Sequence, residues 1–191
     1  MNSPNFVNMH RYQAIERVIY QKVKKWKPKV IVELGHGSGA LTSAMGLALK
    51  ENNNGKIYSY DINGTINYNL GSMTESALEN VKKRNLTDIV QFTKGNVFNT
   101  FLKNPFSFDL LVIDIDNTWD ILYKILIENN FIFYEIKKGA KILIEGGDPN
   151  HPRINLSTLD FFNKNKGKKI FFMEYLAGSG RTSMSLLEPK I

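Results

Sequence analysis

The chain has 191 residues, 42% of them hydrophobic and 23% charged, the profile of one ordinary soluble domain long enough to bury a real core. It contains no cysteine, which excludes disulfides, thiolate metal sites and cysteine nucleophiles, and it has no apolar run of about 18 residues to cross a membrane. The net charge of +7 lies largely in QKVKKWKPK (21–29) and NKNKGKK (163–169), which either face nucleic acid or reflect a chain rich in Lys, Asn and Ile throughout; the scarcity of arginine favours the second.

In chain order, HRYQAIERVIYQKVKKW (10–26) places Ile15, Val18, Ile19 and Val23 on one helical stripe. Pro28 follows, and KVIVELG reads as a buried strand over 29–34. GHGSG is a glycine turn, and ALTSAMGLALKENNNG a helix closed by Asn and Gly. IYSYD (57–61) is a second strand, and SMTESALENVKKRN (72–85) a helix with Ser72 as its cap and Glu75 three residues on. IVQFTKGNVF (89–98) and FDLLVIDI (108–115) are the third and fourth strands. WDILYKILIENNFIFYEI (119–136) is expected to be helical in its first half. A fifth strand (139–148), a short helix (156–165) and two strands, 169–177 and 181–188, joined by GSG, complete the chain.

Strands that alternate with helices and read as unbroken apolar runs belong to a parallel sheet covered on both faces. A link as short as GSG cannot make a parallel crossover, so the last pair must be antiparallel. The expected fold is three-layer α/β, with a seven-stranded, mostly parallel sheet and an antiparallel C-terminal hairpin at one edge. No repeat or linker divides the chain, which predicts one domain over 1–191 with a helical extension at 1–28.

In such sheets ligands bind beyond the carboxyl ends of the strands. The first such end is VIVELGHGSGAL, where Gly35, Gly37 and Gly39 let the backbone turn sharply and approach a ligand. The next helix offers free N–H groups there, and Asp61, ending the second strand, is placed for ribose hydroxyls. The spacing is G-x-G-x-G rather than the G-x-G-x-x-G of nicotinamide sites, with Ala40 in the last place. Glu33, just before the turn, is a poor neighbour for a pyrophosphate and a good one for a cationic amino-acid group.

The stretch Glu33-Leu-Gly35-His-Gly37-Ser-Gly39 resembles the first motif of class I S-adenosylmethionine-dependent methyltransferases, and Asp61 matches their ribose-binding acid. The resemblance runs from about residue 29 to 188 and includes the closing hairpin. It implies a Rossmann-like methyltransferase fold and a cofactor set of Glu33, Gly35, His36, Gly37, Gly39, Asp61, Asn96 and Asp114. Asn96 stands where the family often has an acid for the adenine amine, and its amide oxygen is able to accept that bond. His36 is expected to be a solvent-facing loop residue rather than a catalyst, and Gly46 a close-packing position in the helix.

LLVIDIDNTWD (110–120) has two readings. Alone, it resembles the phosphatase motif of haloacid-dehalogenase-like enzymes, with Asp114 as nucleophile and Asp116 as acid/base. That motif usually comes early in a chain, and it would leave the glycine turn and Asp61 without a purpose. The longer FDLLVIDIDNTWD is similar to the F-D-L-x-x-I-D-x-D-H-x-Y pattern of a small O-methyltransferase group, with Asn117 for the histidine and Trp119 for the tyrosine. That resemblance implies Asp114 and Glu145 as candidate magnesium ligands, Gly146 replacing the usual asparagine and Asp148 a substitute oxygen. Without a metal, Asp114 or Asp116 is the candidate general base. Alternatively Asp116 and Asn117 cap the helix beginning near Trp119, while Trp119 and Tyr123 wall the acceptor pocket or belong to the core.

These readings converge on an S-adenosylmethionine-dependent methyltransferase acting on a hydroxyl of a small molecule or sugar, with Mg2+ as an optional cofactor. A nucleic-acid-modifying methyltransferase is the alternative class, although no N/D-P-P-Y run follows the fourth strand. The N-terminal helix is expected to cover the cofactor or to form a homodimer. MNSPNFVNMHRYQ lacks the features of a signal peptide, so the cytoplasm is the expected location, with no membrane partner.

Overall fold

The computed structural model describes residues 13–64, 76–151, 171–180 and 182–189. Its strands are β1 (Val30–Leu34), β2 (Lys56–Asp61), β3 (Val90–Lys94), β4 (Leu110–Ile113), β5 (Lys141–Glu145), β6 (Phe171–Ser179) and β7 (Thr182–Pro189). They form one sheet in the order β3-β2-β1-β4-β5-β7-β6. The first five run parallel, with Glu33 beside Ser59 on one side and Val112 on the other. β7 pairs antiparallel with both β5 and β6, as the short GSG link requires.

The helices are α1 (Gln13–Trp26), α2 (Ala40–Asn52), α3 (Ala77–Lys83), α4 (Trp119–Tyr123) and α5 (Asn130–Lys137). Buried side chains form a separate core on each face of the sheet. On one face Ile15, Ile19 and Val23 of α1 and Leu41, Met45 and Leu49 of α2 pack on Ile31, Ile57, Leu110 and Val112. On the other, Leu122, Ile125, Ile132 and Ile136 cover Val32, Leu34, Leu111 and Ile113, with Phe101 and Phe108 alongside. Strand side chains alternate between faces, so Glu33, Ser59 and Asp61 lie under α2 rather than under α4 and α5.

Several boundaries differ from expectation. α3 begins at Ala77, capped by Ser76, whose hydroxyl accepts from Glu79 N at 3.2 Å while Ser76 N donates to Glu79 Oε2 at 2.8 Å. The same Ser-x-x-Glu pattern occurs twice in SMTESALE, and the cap is the second, not Ser72; Ser72 and Glu75 lie outside the described residues. The segment expected to be helical only in its first half stays helical to Lys137. A π-helical turn, Lys124–Glu128, follows α4, and Asn129 then caps α5 by accepting from Ile132 N at 3.1 Å. Asn129 therefore starts a helix in the half of the segment that was not expected to be helical. The helix expected over 156–165 lies outside the described residues.

No helix among the described residues is long and apolar enough to cross a membrane.

Candidate functional site

The turn after β1 is pinned at both ends, Gly35 N donating to Tyr60 O and Gly39 N to His36 O, each at 2.7 Å. Gly35, Gly37 and Gly39 all have left-handed backbone, with φ of 85°, 49° and 78°. Their surroundings differ. A Cβ on Gly35 would stand 2.0 Å from the carbonyl oxygen of Asp114, and one on Gly39 would press on Ala77 at 2.9 Å. A Cβ on Gly37 would meet nothing within 4 Å. The outer glycines thus bring β4 and α3 against the turn, and Gly37 alone leaves open space for a ligand. α2 starts directly after Gly39 with no side-chain cap, so its first N–H groups stay available. Gly46 is a close-packing position, since a Cβ there would lie 2.9 Å from Leu86.

Three carboxyl groups converge below this turn. Glu33 is fully buried, and its Oε2 accepts from Thr42 Oγ1 at 2.7 Å and Ser59 Oγ at 2.6 Å, while its Oε1 has no partner. Burial pushes its pKa up to about 8, the charges of Asp114 and Asp61 adding to the rise and the two hydroxyls opposing it. Half-buried Asp114 is also held above the usual carboxylate range, first by desolvation and then by Asp61. Asp61 uses Oδ2 to accept from His36 N and Gly37 N, both at 3.2 Å, and Oδ1 to accept from Asn63 N at 2.8 Å. A carboxylate has about four lone-pair sites, so Asp61 shapes the turn and still has capacity for a hydroxyl.

His36 is not a solvent-facing loop residue: it is 5% exposed. Its ring stands edge-on to Phe92, with centroids 4.8 Å apart, and Nδ1 faces Gly37 O at 3.2 Å, which leaves Nε2 as a buried, unpartnered nitrogen. Burial lowers its pKa, the charge of Asp61 partly offsetting this. An apolar partner on β3 lets the turn close over the ring, and that tertiary contact has no sequence signal.

Asn96 is exposed, and its Oδ1 accepts from Phe98 N at 2.9 Å, which leaves that oxygen a second lone pair. At the end of β4, Asp114 N donates to Leu34 O at 2.8 Å, which sets Asp114 beside the glycine turn. Asp116 is exposed. The cap of α4 is neither Asp116 nor Asn117 but Thr118, whose hydroxyl accepts from Ile121 N at 3.3 Å. Asn117 is 1% exposed, and its amide donates to Ile113 O at 3.0 Å and Glu145 O at 2.9 Å, adding one rung between β4 and β5. Trp119 and Tyr123 pack against the core, which does not place them as pocket walls.

Among the described residues no three His, Asp or Glu side chains group to hold a metal ion. Asp148, the substitute oxygen for Gly146, accepts from Gly180 N at 2.6 Å and Asn150 N at 2.8 Å, which ties it to the β6–β7 turn and holds its carboxyl below the usual range. That leaves Asp114 and Glu145 as the two carboxylates that would hold a magnesium ion, the rest of its octahedral shell being water or substrate oxygen.

Sequence reasoning missed Thr42 and Ser59. A serine at an inward position of the apolar strand IYSYD was the available signal, since a buried hydroxyl needs a partner. A cleft of about 590 Å³ opens at the amino ends of β1, β4 and β5, lined by Trp26, Lys29, Asp109, Glu135, Lys138 and Lys141. It lies at the opposite end of the sheet from the three carboxyl groups, and open α/β sheets place their chemistry at the carboxyl end.

Residues 32–126 match the model of a family described as a methyltransferase domain. No curated protein sequence matches the chain. Among solved structures, the O-methyltransferase TomG of Streptomyces achromogenes, involved in tomaymycin synthesis and determined with S-adenosylmethionine, superposes with a TM-score of 0.60 at 15% identity, covering 93% of this chain and 80% of that one. A methyltransferase of Podospora anserina bound to S-adenosylhomocysteine gives 0.56 at 17% identity, covering 93% and 78%. A methyltransferase of Geobacter sulfurreducens gives 0.57 at 14%, covering 97% and 82%. At these identities the structural likeness shows the fold.

Proposed function

We propose, on the premise that residues 32–126 belong to the methyltransferase domain family, that the protein moves a methyl group from S-adenosylmethionine to a hydroxyl of a small molecule or sugar. The observation that carries this reading is the buried Glu33 carboxyl, with an unpartnered oxygen, beneath a glycine turn that is open only at Gly37. Asp61 and Asp114 stand at the carboxyl ends of the neighbouring strand β2 and of β4, so the cleft is acidic where a donor with an α-ammonium and a sulfonium would bind. Structures of the same fold were determined with S-adenosylmethionine and S-adenosylhomocysteine, which supports that choice of ligand.

The donor supplies a methyl group on positively charged sulfur. As the C–S bond breaks and the C–O bond forms, the acceptor hydroxyl must lose its proton. Asp114 is the base we assign, because its backbone packs against Gly35 of the turn and burial raises the proton affinity of its carboxyl into a useful range. Exposed Asp116 is the alternative base from the same loop. Glu33, Gly35, His36, Gly37, Gly39 and Asp61 form the remaining donor side, where alignment of the reactants can contribute roughly 7–11 kcal/mol toward the barrier. Asn96 stays in the donor set, since its exposed Oδ1 keeps a second lone pair for the adenine amine. No step is routed through a metal ion. The phosphatase reading of DIDNT leaves the glycine turn unexplained, and the family match covers that stretch.

The test is incubation with methyl-labelled S-adenosylmethionine and two acceptor pools, mixed small hydroxyl compounds and total RNA. Label in the small-molecule pool that is released only by ether cleavage supports an O-directed enzyme. Label in RNA would move the reading to nucleic acid and give a use to the lysines of 21–29.

A further inference from the structure

Glu33 is a buried titratable group whose hydrogen bonding is incomplete. It is fully enclosed, yet both neighbouring hydroxyls, from Thr42 on α2 and Ser59 on β2, donate to the same oxygen. Oε1 is left with nothing. The charged groups acting on it are both acids, Asp61 from β2 and Asp114 from the end of β4, and neither neutralises it. The turn adds His36, whose own burial disfavours a charge on it. An isolated buried carboxylate flanked by like charges is costly, so an empty cleft keeps a proton on Glu33. A cation entering the cleft removes the reason for that proton.

We propose that Glu33 selects for ligands bearing an ammonium group by exchanging its own proton for that cation, an inference that rests on the methyltransferase reading. Each molecule of such a ligand that binds therefore expels one proton, and affinity rises with pH across the range in which empty Glu33 is protonated. A ligand with the same nucleoside and thioether but no amino-acid group has no cation to offer. It binds without the exchange. The proton travels from Glu33 Oε1 to solvent, and no covalent bond other than O–H is broken.

The experiment is calorimetric titration with S-adenosylhomocysteine and with 5′-deoxy-5′-methylthioadenosine in buffers of different ionisation enthalpy. Both carry neutral sulfur, so any response of Asp114 to a sulfonium is absent from the comparison. At about pH 6.5, S-adenosylhomocysteine is expected to release about one proton and methylthioadenosine close to none. Between about pH 6 and pH 7 the Kd of the former should tighten about tenfold, while that of the latter stays flat. Glu33→Gln, which copies the neutral form, should abolish both the proton release and the pH slope and bind methylthioadenosine like the wild type, which also reports that it is folded. Equal release by both ligands, release that survives in Glu33→Gln, or binding of S-adenosylhomocysteine with no proton exchange would overturn the inference while leaving the donor site intact. If neither ligand binds, the methyltransferase reading falls, and this inference with it.

Discussion

Gly35, Gly37 and Gly39 share a turn and a positive φ, yet an added methyl group would meet a different obstacle at each. Gly35→Ala drives Cβ into the backbone of Asp114 and should cost about 2–4 kcal/mol of stability. Gly37→Ala has free space and should cost about 1 kcal/mol, the strain of a left-handed alanine. Urea melts of the two variants check the order, and comparable losses would mean the turn does not pack on β4 as described. The G-x-G-x-G spacing was legible in the sequence, but which glycine faces a ligand depends on what packs behind it. Glu33 gives a second prediction at this scale. Its pKa is raised from 4.5 to about 8 on folding, so its contribution to stability is complete below the unfolded value and is lost as pH rises through the folded one. The ligand-free protein should lose on the order of a few kcal/mol between about pH 5 and pH 9, and Glu33→Gln should flatten that decline. A wild-type melting temperature that rises steadily over the same interval would contradict a protonated Glu33.

The strands, their mostly parallel sheet and the closing hairpin follow from run length, apolar content and the brevity of GSG, and these elements were legible to within a few residues. What was not legible lies where side chains do the work of backbone. Asn117 looked like a helix cap because it precedes Trp119, and Asn is a good cap. Its amide instead reaches back to the carbonyls of Ile113 and Glu145 at the ends of β4 and β5. The segment 119–136 was expected to be helical only in its first half, and tertiary burial of Ile132 and Ile136 gives its second half a helix as well. Asn117→Ala removes both donors along with the unpaired Oδ1, so a net loss of about 2 kcal/mol is expected. The urea midpoint should fall with an unchanged slope, as for a local loss without a change in the denatured state. No change in midpoint would show that the rung is dispensable.

Across the molecule, a chain of net charge +7 has a cleft floor built from the acids Glu33, Asp61 and Asp114. The sequence total conceals that local gathering of acids. An open cleft of about 590 Å³ sits at the other end of the sheet, so volume is a poor guide to the chemistry, which open α/β sheets place at the carboxyl ends, where the three acids stand. The central claim is that this acidic end holds an S-adenosyl ligand, and thermal melting with S-adenosylhomocysteine beside melting with NAD tests it most directly. At 100 times its dissociation constant a ligand adds about 2.7 kcal/mol, which for this size of domain raises the midpoint by roughly 5–10 °C. The account predicts that rise with S-adenosylhomocysteine and none with NAD; a rise with NAD alone, or with neither, would contradict it.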